Sequence, residues 1–104
     1  MPVITLSMPA TWPAAPSQSV AEAVAGALDL GAGDVIVLET PYVDSARSGP
    51  LKSSGHWVLV TLRGSDRGVD ARDRAVTAAS AAVATWAERS GVGLEGVWCE
   101  WLLS

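Results

Sequence analysis

Residues 3–8, VITLSM, are apolar or β-branched and end at Pro9, which predicts a first strand. The loop PATWPAAP follows at 9–16. Ser19 with Glu22 three residues later reads as a capping box, and Val20, Val24, Ala27 and Leu28 recur on one helical face, so a helix is expected over 19–29. Gly31 and Gly33 stop it, and DVIVLETPYV at 34–43 is a β-rich run closed by Pro41. The polar stretch DSARSGPLKSSG at 44–55 then carries turn residues and little that is apolar.

Beyond that seam the order repeats. HWVLVTLR at 56–63 is a strand and GSDRG a turn. Asp70 is placed to cap a helix in which Val76, Ala79, Val83 and Trp86 share a face. Gly91 and Gly93 end the helix, and GVWCEWLL at 96–103 is the fourth strand. The chain thus reads as one domain over 1–104 made of two β-α-β units, 1–43 and 56–104, joined by a linker at 44–55. A strand, a crossover helix and a second strand give a right-handed parallel pair. The expected class is α+β with pseudo-twofold symmetry, a four-stranded sheet with both helices on one face. The same order of elements also fits the ferredoxin-like split β-α-β fold.

Composition narrows the partners. Of the 104 residues 49% are hydrophobic and 17% charged, which excludes disorder and leaves apolar surface to be covered by an oligomer. A net charge of −4 with one lysine removes the basic footprint that nucleic acid or an anionic membrane surface requires. No run reaches the roughly 18 apolar residues of a membrane span. The single Cys99 forms no internal disulfide, there is no Cys/His metal spacing, and the first residues lack the basic start of a secretion signal. The expected compartment is the cytoplasm, and no metal or cofactor is implied.

Candidate chemistry starts at Pro2. Loss of Met1 would turn it into a secondary amine, and a model α-amino group titrates at about 7.7–8.0, lower when withdrawn from water. Such a base can take a proton from carbon beside a carbonyl. His56 is the only histidine and sits at a strand start with no nucleophile beside it. GAG and RGSDRG lack the spacing and lysine of phosphate loops.

Pro2 at the head of the first strand of two β-α-β units, with ALDLGAGDVIVLET, WVLVTLRGSDRGVDARDRAV and ERSGVGLEGVWCEWLL, resembles the tautomerase superfamily. That superfamily includes 4-oxalocrotonate tautomerase, macrophage migration inhibitory factor and malonate semialdehyde decarboxylase. The resemblance implies a homotrimer and Pro2 as general base for keto–enol proton transfer on a small oxo acid or carboxylate. Arginine suits such a ligand through its planar fork. Arg67 lies in a turn resembling the arginine-bearing turn of the family, and Arg63 ends the strand before it. On the fourth strand Trp98 and Glu100 share a face and resemble pocket-lining positions of fused relatives, and Asp34 resembles the acid of malonate semialdehyde decarboxylase. The first unit departs from the pattern: its loop carries no arginine, and Ile36 and Trp98 stand where 4-oxalocrotonate tautomerase has one. The resemblance therefore also admits a dehalogenase, hydratase or decarboxylase, or a non-catalytic trimeric binding module.

Overall fold

The computed structural model describes residues 1–49 and 55–104; residues 50–54 of the expected linker, with its lysine, lie outside the described residues. Six elements follow in the order β1 (Val3–Ser7), α1 (Ser17–Leu28), β2 (Ile36–Glu39), β3 (His56–Gly64), α2 (Val69–Ser90) and β4 (Leu94–Leu103). They build one four-stranded sheet ordered β2-β1-β3-β4. β1 pairs parallel with β2, β3 pairs parallel with β4, and β1 and β3 run antiparallel at the centre. In a split β-α-β fold another strand would separate the two strands of each unit. Here they are hydrogen-bonded neighbours, which removes the ferredoxin-like alternative.

Alternation decides what each strand buries. Ile4, Leu6 and Met8 of the first segment and Val58, Val60 and Leu62 of β3 turn to the helices and form the core with Val20, Val24, Ala75, Ala79 and Val83. On β4 the inward set is Val97, Cys99 and Trp101, as the period of two requires.

The helices differ from expectation at their starts. α1 begins at Ser17, its N-cap position is Pro16, and no side chain caps it. Proline is tolerated there because its missing N–H is one that a helix start leaves unpaired anyway. Ser19 and Glu22 therefore lie inside the helix on its exposed side and make no capping box. The helix stops at Asp29, which takes a left-handed φ of 55° two residues before Gly31, while the Leu30 N–H returns to Ala25 O at 2.9 Å. α2 begins at Val69 behind Gly68, whose φ of 86° favours glycine, so Asp70 lies in the first turn rather than at the cap. An aspartate there still suits the positive end of the helix. The buried stripe is Ala75, Ala79, Val83 and Ala87, and Val76 and Trp86 flank it half-buried.

β2 is four residues long, shorter than the run 34–43 suggested, although Thr40 and Tyr42 N–H groups still reach Leu6 and Met8 carbonyls at 3.0 Å. The proline-rich loop is fastened from below by the Trp86 indole, whose Nε1 donates to Ala14 O at 3.1 Å. Among the described residues no helix is long and apolar enough to cross a membrane.

Candidate functional site

β1 and β2 start, and β3 and β4 finish, at the same end of the sheet. Pro2 lies there, one residue before β1, its carbonyl accepting the Ile36 N–H at 3.2 Å. Its ring is wholly buried, whereas Met1 is 68% exposed. The packing that encloses it depends on Gly64, the last residue of β3. A Cβ at Gly64 would stand 2.9 Å from Cζ2 of Trp101 and 3.7 Å from Cα of Pro2. Only a residue without a side chain lets the indole close down at this end.

Arg67 follows in the turn between β3 and α2. That turn is ordered by Asp66, whose carboxylate accepts the Gly68 N–H at 2.9 Å. The Arg67 side chain is half-buried, and its Nε is buried with no hydrogen-bond partner. The indole Nε1 of Trp101 is in the same condition.

The other expected site residues stand on the opposite face of the sheet. Arg63 is exposed beside Val3 and Leu102, its partners in register. Glu100 is paired with Thr61, and Trp98, 58% exposed, with Leu59. Within one chain Pro2 and Arg67 therefore share an end of the molecule, while Arg63, Glu100 and Trp98 line the face that no helix covers.

Neighbouring candidates are occupied otherwise. Asp34 accepts the Gly31 N–H at 3.1 Å and closes the turn before β2. His56 stands edge-on to Trp12, ring centres 5.7 Å apart, and Trp12 leans on Trp86 at 5.9 Å. Arg74 donates from Nε to Ala27 O at 3.3 Å, tying α2 to the last turn of α1. Burial pushes the Cys99 thiol up, the Glu100 charge adds to this, and a Ser80 hydrogen bond opposes it.

A cavity of about 300 Å³ opens at the far end of the sheet, lined by Ser7, Tyr42, Asp44, Arg47, His56 and Trp57 among others. Five strand residues, on the order of 17 Å, separate that end from Pro2. Tyr42 donates its hydroxyl to Trp57 O at 2.8 Å, and Arg47 forms a two-pronged ion pair with Glu95. The cavity holds none of the expected site residues, and its cation and phenol are already engaged. The two buried donors without partners, on Arg67 and Trp101, lie instead toward the end of the sheet where Pro2 stands.

What sequence reasoning missed is Trp101 and the gap at Gly64. The alternation of β4 puts Trp101 on the inward face, but only the β3–β4 register brings its ring edge against Gly64, beside which Pro2 also lies.

No family model and no curated protein matches the sequence. Solved structures do. A fused 4-OT in a symmetric trimer matches with a TM-score of 0.73 and 17% identity, over 98% of this chain and 85% of that one. FG41 malonate semialdehyde decarboxylase inhibited by 3-bromopropiolate matches with a TM-score of 0.73 and 16% identity, over 98% and 82%. Macrophage migration inhibitory factor of Toxoplasma gondii matches with a TM-score of 0.67 and 20% identity, over 98% and 89%. All three are tautomerase-superfamily proteins. The two fused parallel pairs, joined antiparallel at the centre of one sheet with both helices on one side, are the fold of the tautomerase superfamily.

Proposed function

We propose that the chain is a tautomerase-like isomerase, which moves a proton between carbon and the conjugated system of a small oxo acid or carboxylate. Met1 is removed and the Pro2 nitrogen becomes the base. It takes a proton from the carbon beside a carbonyl, the electron pair moves onto the carbonyl oxygen, and the proton returns at another position. Arg67 holds the carboxylate or the developing oxyanion, and Arg63 of a neighbouring copy, presented on the uncovered face, assists it. The observation that carries this reading is the contrast at the first peptide bond: a wholly buried proline ring behind an exposed methionine. Removing Met1 takes away an exposed residue and leaves a secondary amine within a desolvated ring.

The working unit in this reading is a cytoplasmic homotrimer. Support comes from the uncovered sheet face, where Leu38, Trp57, Leu59 and Trp98 are all exposed, and from the fused 4-OT solved as a trimer. Trp98 and Glu100 would then meet the site of a neighbouring copy. The malonate semialdehyde decarboxylase neighbour, at the same TM-score, favours hydration or decarboxylation as the second reading. In that case Pro2 acts as an acid and Glu100 handles water, since Asp34 is held by its turn.

Intact mass is expected to show loss of Met1, and 3-bromopropiolate to label the amino-terminal peptide. Phenylpyruvate ketonisation should fall by about 10²–10⁴-fold in Pro2→Ala, the usual scale for one acid–base group. A retained Met1, or equal turnover by wild type and Pro2→Ala, overturns the tautomerase reading.

A further inference from the structure

Among the described residues two buried side-chain nitrogen atoms lack a hydrogen-bond partner, Nε of Arg67 and Nε1 of Trp101. Folded proteins rarely leave buried donors unpaired, because the desolvation of the N–H is then uncompensated. Both donors belong to the Pro2 end of the sheet. Arg67 is three residues beyond Gly64, and Trp101 sits in register with Leu62, one pair before Arg63 and Leu102.

The orientation of the indole follows from its contacts. The atoms nearest the Cβ direction of Gly64 are Cζ2 at 2.9 Å and Cη2 at 3.4 Å, with Cα of Pro2 at 3.7 Å. Cζ2 is bonded to the ring carbon that carries Nε1. The edge of the indole that packs on Gly64 is therefore Cζ2–Cη2, and Nε1 lies on the ring carbon next to Cζ2.

We propose that Trp101 is a ligand-contacting residue of this site: its indole N–H, together with the Nε–H of Arg67, donates to an oxygen of the small oxo acid. The proposal rests on the Pro2 reading and adds the residue that recognises the oxygen. An indole is a donor only and neutral at every working pH, so it gives direction without charge, while the guanidinium gives charge. Neither nitrogen has a protein acceptor to release when the anion arrives, which is the preorganisation that favours a developing oxyanion. When Pro2 removes the carbon-bound proton, negative charge accumulates on the oxygen, and both N–H groups keep their protons throughout.

Trp101→Phe keeps an aromatic ring and removes the N–H. Phenylpyruvate ketonisation is expected to lose about tenfold or more in kcat/KM, the scale of one hydrogen bond to a charged group. Circular dichroism should be retained, while labelling of Pro2 by 3-bromopropiolate should slow without being abolished. A second measurement does not depend on how that variant folds. In the wild type, titration with pyruvate should shift the Trp101 indole proton resonance downfield, the signal being assigned by its absence from Trp101→Phe. Turnover within twofold of wild type, or a stationary indole resonance while Pro2 is labelled, overturns the role of Trp101 and would fit a trapped water on that nitrogen. Failure of 3-bromopropiolate to label wild-type Pro2 strikes the base assignment instead, and the pyruvate titration then still decides whether Trp101 meets a small acid.

Discussion

The two faces of the sheet are made by the same four strands and end in opposite conditions. Toward the helices, Ile4, Val58, Val60 and Leu62 are 0% exposed. The positions between them on β3 carry Trp57 and Leu59, both close to half exposed, and β2 and β4 add Leu38 and Trp98. Such a row of large apolar groups on one face exceeds what scattered surface residues explain. One face is a finished core, and the other has the composition of an interface core, interrupted by Thr5, Thr61 and Glu100.

The largest effect that separates the two is a truncation on each. Leu62→Ala should cost about 2–5 kcal/mol in denaturant unfolding, because it leaves a cavity among groups that cannot collapse. Leu59→Ala should cost about 0.5 kcal/mol or less in a dissociated chain. Leu59→Asp should instead reduce the sedimenting mass to that of one chain while leaving its circular dichroism intact. If Leu59→Asp still sediments as an assembly, the uncovered face is not where copies meet.

A smaller effect sharpens the same contrast at two glycines. At Gly64 a Cβ would meet the Trp101 ring at 2.9 Å on the closed face, with Pro2 behind it, so neither group can retreat. Gly64→Ala is expected to cost about 1–3 kcal/mol as overpacking. At Gly96 the same addition meets the Trp57 ring at 2.6 Å, a shorter approach. Yet Trp57 is a half-exposed side chain on the open face and can swing outward. Gly96→Ala also removes glycine freedom from the unfolded chain, which stabilises by about 0.4–1 kcal/mol. Its thermal unfolding should therefore stay near that of the wild type, and equal losses at the two glycines would mean that the open face is as tightly filled as the closed one.

The same contrast separates what is legible in the residue pattern from what is not. The period of two sets Trp98 and Glu100 against Val97, Cys99 and Trp101, because sterics alone impose it. Helix starts are less legible: Pro16 starts α1 ahead of Ser19, since backbone geometry outweighs the side-chain signal expected there, whereas its end at Asp29 falls where the pattern put it. Arg67 can be located in its turn, but not the lack of a partner for its Nε, which depends on everything packed around it. Trp101 is legible as an inward tryptophan and no more. Its close packing on Gly64 needs the β3–β4 register and the absent side chain there, which no local pattern encodes.

The smallest expected effect concerns Cys99, on the closed face beside Glu100 of the open one. Burial raises its thiol above the ordinary value of 9.0, and the neighbouring carboxylate works in the same direction against the Ser80 hydrogen bond. A raised pKa means the folded chain holds the proton more tightly than the unfolded chain. The resulting contribution to stability is complete below about pH 9 and is lost as pH climbs from there through the folded value. Wild type should thus weaken between pH 8 and pH 10 more than Cys99→Ala does. The readout is the difference in how the denaturant midpoints change with pH, because the substitution has its own packing cost. A residual decline is expected in the variant, since burial also raises the Tyr42 hydroxyl above 10.0. Identical pH profiles would place the Cys99 thiol in contact with water and show that the closed face admits solvent at β4.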